Sequence, residues 1–278
     1  MNKNELESYL LQGLTTRQIS KIVGLNHRTV GYWINKFDLK DKMKYKKPTY
    51  DENFFKKINT PEKAYILGFI LGDGSISNKD VCINVCLDDR EIIDFIQSCI
   101  GGNIRIYNTI NKETHQYPSA SINIGNKVII NSIKTKSGGN LKQDRHIPII
   151  SEILEPYLLL GFFDAEGCIT WGRRKDRNRI WHKISFTSQF KMLDGIQKIL
   201  LKNGITTSIK PKGTEKCYVL EFANKKDVLK FLDLIYNDEN FVILKRKYNK
   251  ALALRLELGE FGEPYVNDVD MAIPSEAC

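Results

Sequence analysis

The chain has 278 residues, of which 42% are apolar and 27% charged, a balance typical of a globular protein rather than a disordered or fibrous one. Its longest apolar run, residues 157–163, is too short to span a bilayer, and no signal segment opens the chain, so we expect a cytoplasmic protein without a membrane partner. The formal net charge of +9 fits a polyanionic partner, but on charge alone an ordinary basic protein fits equally well. The six cysteines include no CxxC pair, which favours reduced thiols over a structural zinc site.

The first 40 residues have the apolar spacing of three short helices. Apolar residues recur at helical intervals over residues 4–11, Thr15 or Thr16 can cap a second helix, and Asn26 can cap a third over residues 27–37. Gly24 lies where a tight turn between the second and third helices is needed. The residues expected to form the small shared core are Ile19, Val23, Leu25, Val30 and Ile34.

This three-helix pattern resembles the helix-turn-helix of site-specific recombinases and many bacterial regulators, which implies that the third helix enters a DNA major groove. A three-helix module without a DNA role is the alternative. The outward residues that would face DNA are Asn26, His27, Arg28, Thr29, Tyr32 and Lys36. A basic linker over residues 41–53 follows the module of residues 1–40, and we expect it to track phosphates.

From residue 54 to residue 256 the chain is organised as a duplication. The elements predicted for the first copy are a helix from Thr60 to Gly72, strands over 75–77 and 81–87, a helix over 89–99, strands over 103–107 and 120–124, and a helix over 127–134. Those predicted for the second copy are a helix over 156–165, strands over 168–172 and 180–187, a helix over 192–201, strands over 207–210 and 217–222, and helices over 226–235 and 242–256. We therefore predict an α+β fold in which repeats at residues 54–148 and 149–256 each have the order αββαββα. A pseudo-two-fold molecule suits a partner that is itself nearly two-fold symmetric, such as double-stranded DNA.

The two copies share one segment closely. Residues 66–74 read ILGFILGDG, and residues 159–167 read LLGFFDAEG. Small residues stand four apart on one helical face in each copy, at Gly68 and Gly72 and at Gly161 and Ala165. Small residues at this spacing let two helix backbones approach closely, so we expect the two helices to pack side by side.

Each of these helices ends in an acid followed by glycine, Asp73 in the first copy and Glu166 in the second. A carboxylate at a helix C-terminus faces the negative end of the helix dipole, which costs roughly 0.3–1 kcal/mol when exposed. Packing the helices together would add repulsion between the two acids. A divalent cation bridging them would offset both effects, and Mg²⁺ prefers carboxylate oxygens, with phosphates and waters as further ligands.

The doubled segment, together with the lead-in at residues 59–65, resembles the LAGLIDADG homing endonucleases of the single-chain, two-motif class. The resemblance covers about residues 54–256. It implies a monomeric, metal-dependent endonuclease that cuts double-stranded DNA in intron homing, with antiparallel β-saddles on the major groove and Mg²⁺, or Mn²⁺ as a substitute, as cofactor. In this family the acid in the motif's eighth position binds the metals, which implies Asp73 and Glu166 as metal ligands and catalytic residues.

The resemblance also implies a basic residue near each active site, late in each repeat. By position these are Lys136 and Lys247, and either can instead be a phosphate contact or a plain surface charge. Asp164, in the sixth position of the second motif, is expected to form hydrogen bonds at the helix end rather than to bind metal.

Polar residues that interrupt the apolar alternation of the strands are the candidates for DNA contacts, because alternate side chains of a β-ribbon face the base edges. In the first repeat these are Asn84, Arg105, Tyr107 and Asn123; in the second they are Arg173, Arg174, Arg177, Arg179, Lys183, Lys210, Lys212 and Tyr218. A solvated hairpin loop is the alternative for the basic cluster at residues 173–179. The acidic tail, residues 257–278, is expected to be flexible.

Two other functions remain open at this stage. A non-cleaving, sequence-specific transcription regulator with the same fold would have no use for two repelling carboxylates, so the intact acids argue against it. An RNA intron maturase uses the same fold, and composition does not separate it from a DNA endonuclease.

Overall fold

In a computed structural model of the chain, residues 1–43, 49–108, 117–174, 179–238 and 240–259 are described. The chain divides into two compact units, Met1–Thr49 and Tyr50–Cys278. Of the predicted tail, residues 260–278 lie outside the described residues, as do residues 44–48 of the linker. No helix in the described part of the chain is long and apolar enough to cross a membrane.

The first unit consists of α1 (Lys3–Leu11), α2 (Thr16–Val23) and α3 (His27–Lys36). Thr15 begins α2 through a reciprocal capping box with Gln18, and Gly24 ends it in the left-handed conformation with φ 68°. The buried residues that form its core are Leu6, Leu10, Ile19, Val30, Ile34 and Leu39. We predicted Leu25 in this core, but it is 39% exposed because it lies in the turn after Gly24.

The second unit contains the predicted duplication, and its fold class is confirmed. The first repeat consists of α4 (Pro61–Asp73), β1 (Ser75–Ile76), β2 (Val81–Cys86), α5 (Arg90–Ile100), β3 (Asn103–Tyr107), β4 (Ser119–Ile124) and α6 (Lys127–Ser137). The second consists of α7 (Glu155–Glu166), β5 (Gly167–Arg174), β6 (Arg179–Ser188), α8 (Phe190–Lys202), β7 (Ser208–Lys212), β8 (Thr214–Phe222) and α9 (Lys225–Ile235), followed by α10 (Lys245–Glu257).

Each repeat builds one antiparallel four-stranded sheet, in the orders β1-β2-β4-β3 and β5-β6-β8-β7. The apolar side chains of alternate positions, such as Ile83 and Ile122 in the first sheet and Ile184 and Leu220 in the second, are buried in the core. We call the opposite side of each sheet its outer face. Strand alternation therefore decides which polar residues reach the outer face.

Several element boundaries differ from the sequence prediction, and for β5, β6 and α10 the structure shows the reason. Strands β5 and β6 pair from Gly167↔Phe186 to Arg174↔Arg179, so their ladder continues beyond the apolar residues that we used to place their ends. Helix α10 starts at Lys245 rather than near residue 242. The Lys245 backbone N–H donates to the Glu91 carboxylate of the first repeat at 3.0 Å, so a distant side chain caps this helix.

Candidate functional site

The two motif helices, α4 and α7, cross with their backbones in direct contact. A Cβ added to Gly68 would collide with the Leu158 carbonyl oxygen, and one added to Gly161 would collide with the Tyr65 carbonyl oxygen. One turn farther along, a Cβ on Gly72 would lie 2.5 Å from the Ala165 Cβ and 3.0 Å from the Glu166 Cγ. The predicted helix interface is confirmed, and it brings the ends of the two helices together.

Asp73 and Glu166 are the last residues of α4 and α7. Although the Asp73 side chain reaches solvent, the surrounding protein strips part of its hydration. This desolvation, followed by repulsion from Glu166, raises the pKa of Asp73 to about 6. Two neighbouring carboxylates at the negative ends of two helices form a centre that favours a cation.

Lys142 supplies a cation to this centre. Its Nζ lies 3.5 Å from Glu166 Oε1, and its charge partly offsets the rise in the pKa of Asp73. Lys142 belongs to the connection between the repeats, and its side chain is 56% exposed. Sequence reasoning missed it because this connection has no apolar periodicity that could fix its position relative to the motif helices.

Lys247 lies beside the same centre, but its ammonium is buried. Its Nζ donates to the carbonyl oxygens of Phe163, Asp164 and Gly167 at 2.5, 2.9 and 2.7 Å. Burial lowers the pKa of Lys247 below its usual value. All three ammonium donors are therefore used to hold the C-terminal end of α7, which carries Glu166.

In the first repeat the equivalent contact is made by Arg145, which sequence reasoning also missed. Its Nη1 donates to the carbonyl oxygens of Gly74 and Leu71 at 2.9 and 3.3 Å, at the end of α4. Lys136, our candidate for this place, lies instead on α6, where it lines a shallow groove with Phe55 and Lys56. The structure therefore brings Arg145 to the end of α4 and Lys142 to Glu166 at the end of α7, whereas Lys136 lies on α6.

Asp164 is buried and turned away from the two acids. Its Oδ2 accepts a hydrogen bond of 2.8 Å from the Tyr65 hydroxyl, which belongs to the opposite motif helix. Burial raises the pKa of this carboxyl well above its usual range. Asp164 thus joins the two motif helices by a hydrogen bond.

The donor set at the helix ends fits a hard divalent cation only in part. Among the described residues, no group of three or more His, Cys, Asp or Glu is arranged to hold a metal. Asp73 and Glu166 offer carboxylate oxygens, so the coordination of Mg²⁺ would be completed by waters and by an incoming phosphate. This is the usual arrangement where the substrate itself is anionic.

The outer face of the first sheet forms an open cavity of about 770 Å³. All four residues that we predicted in this repeat, Asn84, Arg105, Tyr107 and Asn123, line it. The other strand residues that line this cavity are Cys82, Val85, Cys86, Ser119 and Ser121, so Arg105 supplies the one charged side chain among the described lining residues.

The outer face of the second sheet is basic. Lys183, Lys210 and Lys212 project from it, and Lys212 Nζ donates to the Thr187 hydroxyl at 3.1 Å. Glu221, which we did not predict, lies between the other two lysines: its Oε2 is 3.3 Å from Lys183 Nζ, and its Oε1 is 2.8 Å from Lys210 Nζ.

Two predicted residues of this repeat lie on the other side of the sheet. Arg173 has the same strand parity as the buried Ile169, and its guanidinium donates to Glu257 of α10 at 2.8 Å. Tyr218 packs against the core, with its ring centroid 5.4 Å from that of Phe190 on α8. Arg177 lies outside the described residues, as do the side chains of Arg174 and Arg179.

In the first unit, the predicted residues line the N-terminal end and exposed side of α3. Asn26 caps the helix by accepting the Arg28 N–H at 2.9 Å. Lys36 Nζ lies 4.7 Å from the Trp33 ring centroid, a cation–π contact that leaves the ammonium at the surface. The exposed side chains on this helix include His27, Arg28, Thr29, Tyr32 and Lys36.

Comparison with known proteins supports the same fold. Residues 155–236, most of the second repeat, match a family model described as a LAGLIDADG-like domain. No curated protein sequence matches the chain.

Solved structures resemble the chain over both repeats. The LAGLIDADG meganuclease I-AabMI, bound to uncleaved DNA, is 15% identical with a TM-score of 0.51, covering 72% of this chain and 92% of that one. The meganuclease I-SmaMI, bound to uncleaveable DNA, is 12% identical with a TM-score of 0.53, covering 72% and 91%. The LAGLIDADG homing endonuclease I-GzeII, in complex with its DNA target, is 13% identical with a TM-score of 0.50, covering 73% and 92%. Residues 155–236 are therefore similar to a LAGLIDADG-like domain, and the two repeats together have the fold of these LAGLIDADG endonucleases.

Proposed function

We propose that the chain is a site-specific homing endonuclease that hydrolyses phosphodiester bonds in both strands of a DNA duplex with divalent metal ions. The observation that carries this proposal is the meeting of Asp73 and Glu166 at the ends of two closely packed helices, where the pKa of Asp73 is raised to about 6. A carboxylate with a raised pKa is typical of functional sites, and a cation bound between the two acids would offset their repulsion. We propose Mg²⁺, with Mn²⁺ as a substitute, and a monomeric enzyme.

Asp73 and Glu166 would hold the metal, which when bound would activate water and neutralise charge on the scissile phosphate. The exposed ammonium of Lys142, already beside Glu166, is placed to contact that phosphate. Lys247 and Arg145 act as positioning residues, because they fix the carbonyl groups around each acid rather than facing the substrate. Lys136 has no role in this proposal.

The outer faces of the two sheets would lie in the major groove on either side of the cut. Antiparallel strands fit that groove, and their polar side chains would meet base edges and phosphates. Both faces carry such residues, with Arg105 and Asn123 on the first and Lys183, Lys210 and Lys212 on the second. The three-helix unit would add a separate DNA contact through α3.

The central experiment measures binding and cleavage separately. Duplexes bound by the protein are selected from a randomised library in EDTA and then incubated with Mg²⁺ or with Ca²⁺. We expect double-strand cleavage at a defined position with Mg²⁺, and retained binding without cleavage for Asp73→Asn and Glu166→Gln. Binding by the wild type without cleavage would instead indicate a regulator, and cleavage by both variants at the wild-type rate would refute the proposed site.

The contribution of α3 can be tested on the selected DNA. Replacing Arg28 and Lys36 by Ala should weaken affinity by about tenfold and reduce its salt dependence, because two phosphate or base contacts are lost. The matched control is Arg17→Ala with Lys21→Ala, which removes the same charge from α2. Equal effects of the two double variants would show that α3 contributes only general charge.

A further inference from the structure

The outer faces of the two sheets carry side chains of different charge at one pair of equivalent places, Asn123 in the first sheet and Glu221 in the second. Strand pairing sets Asn103 opposite Asn123 in the first sheet and Ser208 opposite Glu221 in the second, so Glu221 occupies the place of Asn123. By the same register, Lys210 takes the place of Arg105. The second repeat therefore has a carboxylate where the first has an amide, on a surface that is otherwise basic.

A carboxylate on a surface that binds DNA needs an explanation, because it repels phosphates. Glu221 is held in place by Lys183 from β6 on one side and Lys210 from β7 on the other. Its side chain is only 22% exposed, and these two hydrogen bonds keep its pKa below the usual value, so it stays ionised. The three residues form a fixed diagonal of positive, negative and positive charge across three strands.

This diagonal changes what the two lysines can do. A free lysine is a flexible point charge that moves to the nearest phosphate. The two lysines that pair with Glu221 are drawn toward β8, which is a central strand of the sheet, and are therefore less free to follow phosphates at its edges. The carboxylate between them presents acceptors and no donor.

We propose that Lys183, Glu221 and Lys210 read a G·C base pair in the major groove, with Glu221 as the specificity-determining residue. Guanine presents two acceptors there, N7 and O6, and the paired cytosine presents the N4 amino donor. A lysine donates to guanine while Glu221 accepts from cytosine, so one charge-paired unit satisfies both edges of the pair. The inference rests on the proposed function, since it requires this face to bind duplex DNA.

The test compares two variants that lose the same charge on opposite sides of one sheet. Glu221→Gln removes the carboxylate from the outer face, and Glu257→Gln removes the carboxylate that pairs with Arg173 on the helical side. Each protein is used to select duplexes from a randomised library in EDTA, where no cleavage occurs, and its affinity is measured at several salt concentrations. Thermal melting confirms that each variant is folded.

We expect the wild type and Glu257→Gln to enrich the same site, which includes a G·C pair. Glu221→Gln should no longer enrich that pair, so its discrimination against other base pairs at this position should fall at least about tenfold. Glu221→Gln should also bind unselected DNA more tightly, with a steeper salt dependence, because its lysines become free to reach phosphates. Lys210→Met should lose the same base preference but bind all DNA more weakly. This variant distinguishes the loss of base recognition from a general effect of charge on affinity, and it replaces Glu221→Gln as the test if Glu221→Gln does not fold.

The outcomes distinguish the inference from the function on which it rests. If Glu221→Gln changes affinity but enriches the same bases as the wild type, the inference is wrong and the proposed DNA binding stands. If the wild type enriches no sequence at all, the proposed function fails, and this inference fails with it.

Discussion

Arg145 and Lys247 make the same contact in the two repeats, each donating to the carbonyl oxygen of the glycine that follows the motif acid. Arg145 Nη1 lies 2.9 Å from the Gly74 oxygen, and Lys247 Nζ lies 2.7 Å from the Gly167 oxygen. The last carbonyls of a helix have no partner within the helix and carry its negative dipole end. A buried cation at this point both satisfies them and offsets the charge of the neighbouring acid.

Removing one of these cations should therefore destabilise the protein strongly. We expect Lys247→Met to lower the free energy of unfolding by about 3 kcal/mol, because three buried backbone carbonyls lose a charged hydrogen-bond donor. Urea denaturation measures the change. The matched control is Lys136→Met, which should change stability by less than about 0.5 kcal/mol because Lys136 lies on the surface of α6. Equal losses in both variants would contradict the capping role.

The crossing of the motif helices makes a second prediction about stability. Gly161→Ala should lower the free energy of unfolding by about 3 kcal/mol or more, because its new methyl group would overlap the Tyr65 carbonyl of a backbone that cannot move aside. The same substitution at Gly31, in the interior of α3, meets no atom within 4 Å and should stabilise its helix by about 0.5–1 kcal/mol. Calorimetry measures the change in stability of both variants. If Gly161→Ala left the stability unchanged, the two motif helices would not be in direct backbone contact.

Asp73 links stability to pH and to metal. Its pKa is raised from 3.8 to about 6 in the folded protein, so the unfolded chain releases this proton at lower pH. The free energy of unfolding therefore falls as pH rises from about 4 to about 6, and the whole of this loss of stability, the penalty for ionising Asp73, is present above that range. Because the side chain reaches solvent, which screens its charge, we expect the penalty to be about 1 kcal/mol.

Asp73→Asn removes this penalty and should raise the melting temperature by roughly 2–4 °C at pH 8 and by little at pH 4. Added Mg²⁺ should raise the melting temperature of the wild type at pH 8 but not that of the variant. Asp94→Asn, which removes an exposed carboxylate paired with Arg90, is the control and should show neither effect. If Mg²⁺ raised the melting temperature of Asp73→Asn as much as that of the wild type, Asp73 would not be a metal ligand.

The fold and the two acids could be predicted from the sequence because their signals are local. The apolar periods, the small residues four apart and the acid–glycine ends all lie within single elements, and the duplication doubles each signal. Arg145 and Lys142 could not be found in this way. They lie in the aperiodic connection between repeats, and only the tertiary path of that connection brings them to α4 and Glu166.

On the second sheet, two of the predicted residues lie on the helical side for a different reason. We selected Arg173 and Tyr218 by polarity, although their strand parity matches that of the buried Ile169 and Leu220. Applied strictly, the alternation would have placed both on the helical side. It would also have placed Glu221 on the same face of the sheet as Lys183 and Lys210.

The cysteines of the first sheet provide a direct test of which surface binds DNA. Cys86 is exposed on the outer face, at the opposite end of β2 from the partly buried Cys82. Bound DNA should slow alkylation of Cys86 by a water-soluble maleimide about tenfold or more, because only the free protein then reacts. Mass spectrometry of the modified peptide gives the rate. In a Cys86→Ser background, Ser98→Cys places a thiol on the exposed side of α5, and its alkylation should be unaffected by DNA. If DNA protected the α5 thiol and left Cys86 reactive, the DNA would bind the helical side of the protein, and the interface proposed for the outer faces of the sheets would be refuted.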